Sequence, residues 1–484
     1  MEKIVFTTLQ ETAEKIKNKE ISCVDLIQTY YEHISKYNPI VNAISDLLPI
    51  EKALHEARLL DEMLANGVVK GSLHGIPITV KDSVSVKGLK NSFGVPTYKN
   101  HIATQDATLI TYFKNAGAII IGKSNLPLLM LDWCSENSWY GRTNNPYDLS
   151  KVPGGSSGGS AAALASGFSM LEIGSDVAGS IRVPAHFCGI CGLRPTEALL
   201  ETDGIPHLEG APKAMRFLSV MGPMARTIGD LEIALDVLWN KESLNIRDFP
   251  IDLDQYLESG KRPLKIAYSP ILGGVEIDHE YAVCFNNFIE KLRNEGHELI
   301  ERKPEYDRSK DAESWANLLG FDLGANMPKI PFISKIFSSF IYYKLKNRDW
   351  QRGMRKVISG DIKSYALALT HKDSVAKVYA QFLNECDVWL TPVCADSAFK
   401  HQKSGKPFMI NSKEVAYSDA FSAYTCDTAL PGHPICVFPI GTIKGNMPVG
   451  IQVHAKRWHD KRLLQIAKEL EKLTEGYKIP QMFE

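Results

Sequence analysis

Short apolar segments of strand length alternate with amphipathic segments of helix length in the N-terminal part of the chain. Residues 75–80 (GIPITV) and 116–122 are rich in β-branched side chains and are bounded by glycine, which predicts two buried strands. Ser22 and Thr227 each precede a segment with helical spacing and are predicted N-caps. Helices are predicted over residues 7–37, 51–64 and 104–115. This alternation predicts an α/β fold with a central mixed, twisted β-sheet that helices cover on both faces.

The length of the chain allows more than one domain arrangement. Its 484 residues would suffice for about three domains, but one large α/β domain fits equally well. We predict a single domain over residues 1–484, with an N-terminal helical segment at 1–65 and a core at 66–240. Residues 305–372 have long, aromatic-rich helical segments with little strand character, so this region is inserted in, or packed on, the α/β body.

The composition excludes several classes of function. Lys and Arg number 55 and Asp and Glu 56, so a net charge of −1 gives no general attraction for nucleic acid or an anionic membrane. Every apolar segment is shorter than the ~18–20 residues of a membrane-spanning helix. Nine scattered cysteines, and no signal peptide in the first residues, favour the reducing cytoplasm over secretion. We therefore expect a soluble cytoplasmic protein whose local site selects its ligand.

A segment of glycine and serine, residues 153–160 (PGGSSGGS), is the most distinctive local feature. By itself it allows three interpretations. A flexible linker is the usual one, although the segment is short and leads directly into an alanine-rich helical segment. A phosphate-binding loop is disfavoured because the Lys and Ser/Thr that should follow are missing. A nucleophile elbow, Gly-x-Ser-x-Gly, is matched at residues 154–158, but such runs match it by chance.

A second segment, residues 174–184 (GSDVAGSIRVP), narrows the interpretation. Together with GGSSGGSAAALASG and the lysine that ends GIPITVK, it resembles the amidase signature family of serine amidohydrolases. Further matching motifs are IIIGKSNLPLLM, SENSWYGRTNNPYD, CGLRPT, MGPMARTIGDLEIALDVL and LPGHPICVFPIG. The resemblance covers most of residues 7–200, 220–240 and 425–475.

This resemblance implies an amidase-signature fold, with the catalytic core at 66–240, and an enzyme that hydrolyses a carboxamide to a carboxylic acid plus ammonia or an amine. Carried over by motif, the family's Ser-cis-Ser-Lys triad falls on Ser180 as nucleophile, Ser156 as proton relay and Lys81 as general base. The bond between Gly155 and Ser156 is then expected to be cis. The reaction would pass through an acyl-enzyme on Ser180. The family implies no metal and no organic cofactor.

Elementary chemistry agrees with these roles. A serine hydroxyl is a weak nucleophile until a base removes its proton, and none of the 13 histidines lies in the motifs that carry the triad. A lysine is normally protonated at pH 7, with a pKa near ~10.4. Burial of Lys81 after an apolar strand would lower that pKa. A lowering by about three units corresponds to roughly 4 kcal/mol of destabilisation of the ammonium.

Other residues receive their expected roles from the same resemblance. The oxyanion hole maps onto the N–H groups of Val177, Ala178, Gly179 and Ser180, with Ala178 at a position where the family usually has glycine. Asp176 and Arg182 are expected to form an ion pair that fixes the nucleophile loop, and Asp82 to cap local backbone. The candidate substrate-binding residues are Met130, Asp132, Trp133, Gly155 and Ser157, together with Cys134 and Trp139, although packing or loop hydrogen bonding would explain each of them.

Two histidine-containing sites are predicted to be structural. His186, Cys188 and Cys191 could suggest a metal site, but no second pair with ligand spacing accompanies them. His433, in the LPGHP turn, is expected to pack in the core or line a pocket wall. Neither site is therefore assigned a metal or a catalytic role.

The specific function remains open among several alternatives. The leading one is a free-standing hydrolase of a small-molecule amide, and a homodimer is left open. The glutamine-hydrolysing subunit of an amidotransferase belongs to the same family and would need partner subunits. That branch usually continues after CGLRPT with a stretch rich in Tyr, Gly and Arg, which residues 197–219 lack. A non-catalytic binding scaffold is disfavoured because Lys81, Ser156 and Ser180 are all present.

An enzyme similar to fatty-acid amide hydrolase is a further alternative. The aromatic segment at 332–350 would then form an acyl-chain tunnel or a cap that touches a membrane, and packing in the core is the competing interpretation. The basic residues around it are Lys335, Lys344, Lys346 and Arg348. Because the resemblance is thinnest at residues 305–425, we expect this variable, largely helical region to set substrate specificity.

Overall fold

The computed structural model describes residues 2–204, 218–239, 252–260, 262–326, 347–358 and 362–484. The helices of these residues are α1 Leu9–Lys17, α2 Cys23–Val41, α3 Ile50–Ala65, α4 Thr108–Asn115, α5 Gly158–Ala165, α6 Arg182–Phe187, α7 Ile228–Leu238, α8 His279–Asn294, α9 Arg308–Asn326, α10 Arg348–Ile358, α11 Ile362–Leu383, α12 Tyr417–Ala429 and α13 Asp460–Glu471. The strands are β1 Ile44–Leu47, β2 Pro77–Lys81, β3 Ile119–Ser124, β4 Glu136–Asn137, β5 Gly141–Arg142, β6 Glu172–Asp176, β7 Cys191–Arg194, β8 Val220–Ala225, β9 Lys265–Tyr268, β10 Glu298–Glu301, β11 Val388–Pro392, β12 Phe408–Ile410, β13 Lys413–Val415, β14 Ile435–Ile443 and β15 Met447–His454.

The largest sheet of the described residues has eight strands in the order β10-β9-β11-β15-β14-β7-β8-β6. Strand β9 is parallel to both β10 and β11, and the remaining neighbours are antiparallel. Helices α6, α7, α8 and α13 pack against its strands. The predicted α/β class with a mixed sheet is therefore confirmed.

A smaller sheet of three strands, β1-β3-β2, positions Lys81. Strands β2 and β3 are parallel, and their register places Lys81 beside Ser124. Every residue of both strands is buried, which fits their β-branched composition. Because β2 also packs against β6 of the large sheet, the two sheets bring Lys81 close to the segment that follows β6.

Helix starts follow the predicted capping signals. Ser22 Oγ accepts a hydrogen bond from Asp25 N at 3.0 Å, and Thr227 Oγ1 accepts one from Asp230 N at 3.1 Å. Each cap satisfies a backbone donor that the first turn of a helix leaves without a partner. Both N-cap predictions are confirmed.

Two elements near the site differ from the sequence-based prediction. Helix α12 was not predicted because all of its residues except Asp419 are buried, so it lacks the polar face that produces a helical pattern. Helix α6 was also missed because it has only six residues and includes Pro184. The loop predicted at 126–146 contains the two-residue strands β4 and β5, which pair with each other.

The region expected to set specificity is helical where the structure describes it. Helices α9, α10 and α11 pack together, and the rings of Trp315 and Trp350 lie 4.4 Å apart. Most of the aromatic segment, residues 332–346, lies outside the described residues. None of the described helices is long and apolar enough to cross a membrane. The division of the chain into core and specificity regions stays a prediction.

Candidate active site

Lys81 ends strand β2 and is fully buried. Its Nζ lies 2.7 Å from Ser156 Oγ, 2.9 Å from Ser157 Oγ and 3.0 Å from Ser175 Oγ. Among the described residues, no carboxylate lies within ion-pair distance of this nitrogen. Lys81 therefore has only serine hydroxyls as direct partners.

This environment disfavours the ammonium form of Lys81. Desolvation by burial lowers its pKa to about 7, against the opposing charges of Asp176 and Glu172, which raise it. A neutral amine has two N–H donors and one lone pair, so three hydroxyls suit it with two acceptors and one donor. Near pH 7 this lysine can therefore accept a proton.

The segment that carries Ser156 passes through a narrow space. A Cβ atom on Gly155 would lie 2.4 Å from the main-chain oxygen of Asp132, so only glycine fits there. The bond between Gly155 and Ser156 is cis. Ser157 N donates to the main-chain oxygen of Ser180 at 3.1 Å, which joins this segment to the predicted nucleophile.

Asp176 organises the loop that carries Ser180. Its Oδ1 accepts from Gly179 N at 2.9 Å, and its Oδ2 accepts from Ile181 N at 3.1 Å. The predicted partner Arg182 contacts the same carboxylate through Nη2 at 2.9 Å and Nε at 3.0 Å. Burial opposes ionisation, but the charges of Arg182 and Arg194 outweigh it and lower the pKa of Asp176 to about 2. Asp176 therefore stays ionised and fixes both ends of the loop.

The accessible part of this loop coincides with its predicted reactive atoms. Val177, Ala178 and Ser180 are partly exposed, whereas Asp176 and Gly179 are buried. Within the described residues, the N–H groups of Val177, Ala178 and Ser180 have no hydrogen-bond acceptor. The Gly179 N–H differs, since it already donates to Asp176. Three of the four predicted oxyanion-hole donors are therefore unengaged.

The predicted bridge between the two serines takes a different form. Within the described part of the chain, no hydrogen bond joins Ser156 Oγ to Ser180 Oγ, and the two segments meet through Ser157 N instead. Ser175 was not predicted, although it lies in the same quoted motif as Ser180. Its side chain faces Lys81 because Ser175 lies on β6, which packs against β2.

The predicted substrate-binding residues lie beside this loop. Trp133 Nε1 donates to the main-chain oxygen of Ala178 at 2.8 Å. Met130 Sδ lies 3.8 Å from Ser175 Oγ, and Asp132 Oδ1 accepts from Tyr417 OH at 2.6 Å. These contacts place all three residues at the wall of the site.

Helix α12 forms the part of this wall that the sequence did not predict. The ring of Phe421 stacks on Trp133 with centroids 4.8 Å apart, and Thr425 O accepts from Arg182 Nη2 at 2.9 Å. Gly179 has a φ of +96°, and a Cβ atom there would lie 2.6 Å from Thr425. Glycine is thus required where the nucleophile loop meets α12.

The histidines and cysteines that might suggest a metal site have structural partners. His186 Nδ1 accepts from Gly450 N at 2.7 Å, and its Nε2 contacts the main-chain oxygen of Asp396 at 3.1 Å. His433 Nε2 lies 2.9 Å from His454 Nδ1 in the core. All nine cysteines, including Cys188 and Cys191, have free thiols. Among the described residues, no group of three or more His, Cys, Asp or Glu side chains could hold a metal ion.

Comparison with known proteins identifies related sequences over almost the whole chain. The family model described as Amidase matches residues 25–464. A glutamyl-tRNA(Gln) amidotransferase subunit from Alkaliphilus metalliredigens (strain QYMF) is 31% identical over 489 residues, which cover 97% of this chain and 96% of that protein. The equivalent protein from Fusobacterium nucleatum, which has the same name, is 29% identical over 500 residues, with 98% of each chain covered.

Solved structures share the fold. 6-Aminohexanoate cyclic dimer hydrolase in complex with its substrate superimposes with a TM-score of 0.82 at 23% identity, over 99% of this chain and all of that one. A fatty acid amide hydrolase gives a TM-score of 0.79 at 22% identity, over 98% of this chain and 86% of that one. At such identities the likeness describes architecture and leaves the substrate undetermined.

Proposed function

Because this chain belongs to the amidase family and is an amide-hydrolysing enzyme, we propose that it cleaves a carboxamide through an acyl-enzyme on Ser180, with Ser156 as relay and Lys81 as general base. One observation carries this proposal. Lys81 is a buried amine without a direct carboxylate partner among the described residues, and its nearest neighbour is Ser156 Oγ at 2.7 Å. The partly exposed Ser180 lies on the loop beside them.

The proposed acylation step begins with proton transfer. Ser180 Oγ loses its proton to Ser156 Oγ as it forms a bond to the amide carbon, and Ser156 passes its own proton to the Lys81 amine. When the C–N bond breaks, the same path returns a proton to the leaving nitrogen. Water then attacks the acyl-enzyme and releases the carboxylic acid.

The oxyanion of the tetrahedral intermediate would lie against the loop at 177–180. The N–H groups of Val177, Ala178 and Ser180 are the proposed donors, and Gly179 acts indirectly by holding the loop to Asp176. A donor aimed at developing negative charge contributes about 2.7–4 kcal/mol when it is preorganised. The hydrogen bonds of Asp176 with this loop and with Arg182 supply that preorganisation.

The proposed substrate is a small-molecule amide whose acyl part lies along Met130, Asp132 and Trp133. A panel of primary amides with aliphatic chains of increasing length, together with aryl amides and glutamine, tests the proposal by ammonia release. We expect at least one member to be hydrolysed, and Ser180→Ala to abolish that turnover. Ser138→Ala is the matched control because Ser138 is exposed, and it should leave turnover unchanged. Undiminished turnover in Ser180→Ala would refute the proposal.

A second function, the glutamine-hydrolysing subunit of an amidotransferase, is supported by the relatives with 29–31% identity over nearly their full length. This function would require partner subunits. Glutamine hydrolysis that is negligible in the purified chain and appears only with such partners would favour it. Efficient hydrolysis of simple amides by the purified chain alone would favour the free-standing enzyme. Its nine free thiols also support the proposed cytoplasmic location.

A further inference from the structure

Glu172 is a fully buried carboxyl group that the proposed reaction sequence does not use. It is the first residue of β6 and accepts hydrogen bonds from Thr79 Oγ1 on β2 and from Ser124 Oγ on β3, the latter at 3.3 Å. Ser124 Oγ also lies 2.8 Å from Ser160 Oγ on α5. Residues of three different elements thus surround this carboxyl group.

The strand register places Glu172 beside Lys81. Thr79 and Lys81 are two residues apart on β2, so their side chains point to the same face. Ser124 is the partner of Lys81 across the parallel pair of β2 and β3. The two hydroxyls that bind Glu172 therefore flank Lys81. Ser175, on the same strand as Glu172, contacts Lys81 Nζ directly.

The other charged groups around this pair are committed elsewhere. Asp176 is bound by Arg182 on α6, and Asp82, which follows β2, accepts from the N–H groups of Ser92 and Phe93. Lys123 on β3 donates to the main-chain oxygen of Val84. Helix α5 and strand β8 carry no charged side chain. Glu172 is thus a nearby carboxyl group without an arginine partner among the described residues.

The titration ranges of the two groups overlap. Desolvation by burial raises the pKa of Glu172 to about 7, although its hydroxyl partners and Lys123 favour ionisation. Lys81 has a pKa lowered to about 7, and the charge of Glu172 acts to raise it. Two groups that interact in this way titrate as a coupled pair.

We propose that Glu172 is a positioning residue whose charge controls the pH at which Lys81 becomes the free amine that accepts a proton from Ser156. This inference rests on the proposed function of Lys81. An ionised Glu172 stabilises the Lys81 ammonium and so delays formation of the amine as the pH rises. Removal of the carboxylate must therefore release the free amine at lower pH.

The test follows the rate at which a fluorophosphonate probe labels Ser180 across a range of about pH 5 to 9, which requires no knowledge of the natural substrate. Glu172→Gln keeps a hydrogen-bond acceptor but cannot ionise. We expect the midpoint of its acid limb to shift down by about one pH unit, since charges separated by one or two side chains in a buried site interact by that order.

A matched control removes a different buried carboxylate. Asp460 is fully buried and accepts from Thr196 N at 2.7 Å and Thr196 Oγ1 at 2.6 Å, and burial raises its pKa to about 6. Asp460→Asn should leave the midpoint at its wild-type value. Glu172→Met, which fills a similar volume without a charge, provides a second variant if Glu172→Gln does not fold.

The outcomes separate this inference from the function on which it rests. Labelling of Ser180 that persists in Lys81→Ala would overturn the proposed function itself. Labelling that is lost in Lys81→Ala, with an unchanged midpoint in Glu172→Gln, would overturn only the role of Glu172. A shift that Asp460→Asn reproduces would also overturn it. If neither Glu172 variant folds, the residue serves stability and the inference is abandoned.

Discussion

Two fully buried lysines lie on adjacent strands, and their surroundings differ. Lys81 Nζ lies within 3.0 Å of three serine hydroxyls. Lys123 Nζ donates to the main-chain oxygen of Val84, and the charges of Asp82 and Glu172 partly offset its burial. Desolvation lowers the pKa of Lys81 to about 7 and that of Lys123 to about 8. Burial alone therefore does not make a general base, because only Lys81 contacts groups that can pass it a proton.

The largest expected effect is the loss of activity in Lys81→Ala. Removal of a general base typically costs about 10²–10⁴-fold in rate, and we expect a fall in kcat/KM of that order for the best amide of the panel. Lys123→Met should retain activity per folded molecule while its melting temperature falls, because it leaves Asp82 buried without a nearby cation. A comparable loss of kcat/KM in Lys123→Met would break the distinction between the two lysines.

The pH dependence of the reaction sharpens the same comparison. Because the pKa of Lys81 is lowered to about 7, the amine is protonated below that pH and cannot accept the proton of Ser156. We expect kcat/KM to fall tenfold per pH unit below about pH 7 and to level off above it. An acid limb with a midpoint near ~10, the value of an exposed lysine, would show that burial does not activate Lys81.

A smaller difference is expected between two of the serines that contact Lys81. Ser156→Ala breaks the proposed proton path, so we expect a loss within the ~10²–10⁴-fold range of proton-transfer groups. Ser175→Ala removes a hydrogen bond of 3.0 Å that only orients the amine, and we expect a loss of about tenfold. Steady-state kinetics of the two purified variants would decide this, and equal losses would argue against a separate relay role for Ser156.

The smallest effect is expected at the wall of the site. Trp133→Phe keeps the aromatic surface that stacks on Phe421 but removes the hydrogen bond of 2.8 Å to Ala178 O. One such bond contributes about 0.5–1.5 kcal/mol, so kcat/KM should fall by about tenfold at most. A loss as large as that of Lys81→Ala would mean that Trp133 does more than support the loop.

The sequence predicted the parts of this molecule that leave a local pattern. Residues 75–80 and 116–122 were predicted as strands from their β-branched composition, and β2 and β3 overlap both segments. The motifs around Lys81, Ser156 and Ser180 predicted that these residues meet, and the structure places Lys81 beside Ser156 and the Ser156 segment beside the Ser180 loop.

The remaining features depend on tertiary contacts. Helix α12 is buried at every residue except Asp419, so no amphipathic pattern announced it. Ser175 became visible only when β6 packed against β2, and Gly179 was predicted as a free donor although Asp176 occupies its N–H. The spacing of residues along the chain cannot report which carboxylate reaches which backbone donor, since that depends on how the loop turns.

The most direct test of the central claim is to label the purified protein with a fluorophosphonate and to locate the modified residue by peptide mass spectrometry. The arrangement of Lys81, Ser156 and the loop at 176–182 predicts a single adduct on Ser180, absent from Ser180→Ala and from Lys81→Ala. An adduct on another serine, or labelling of Ser180 that survives the loss of Lys81, would contradict it.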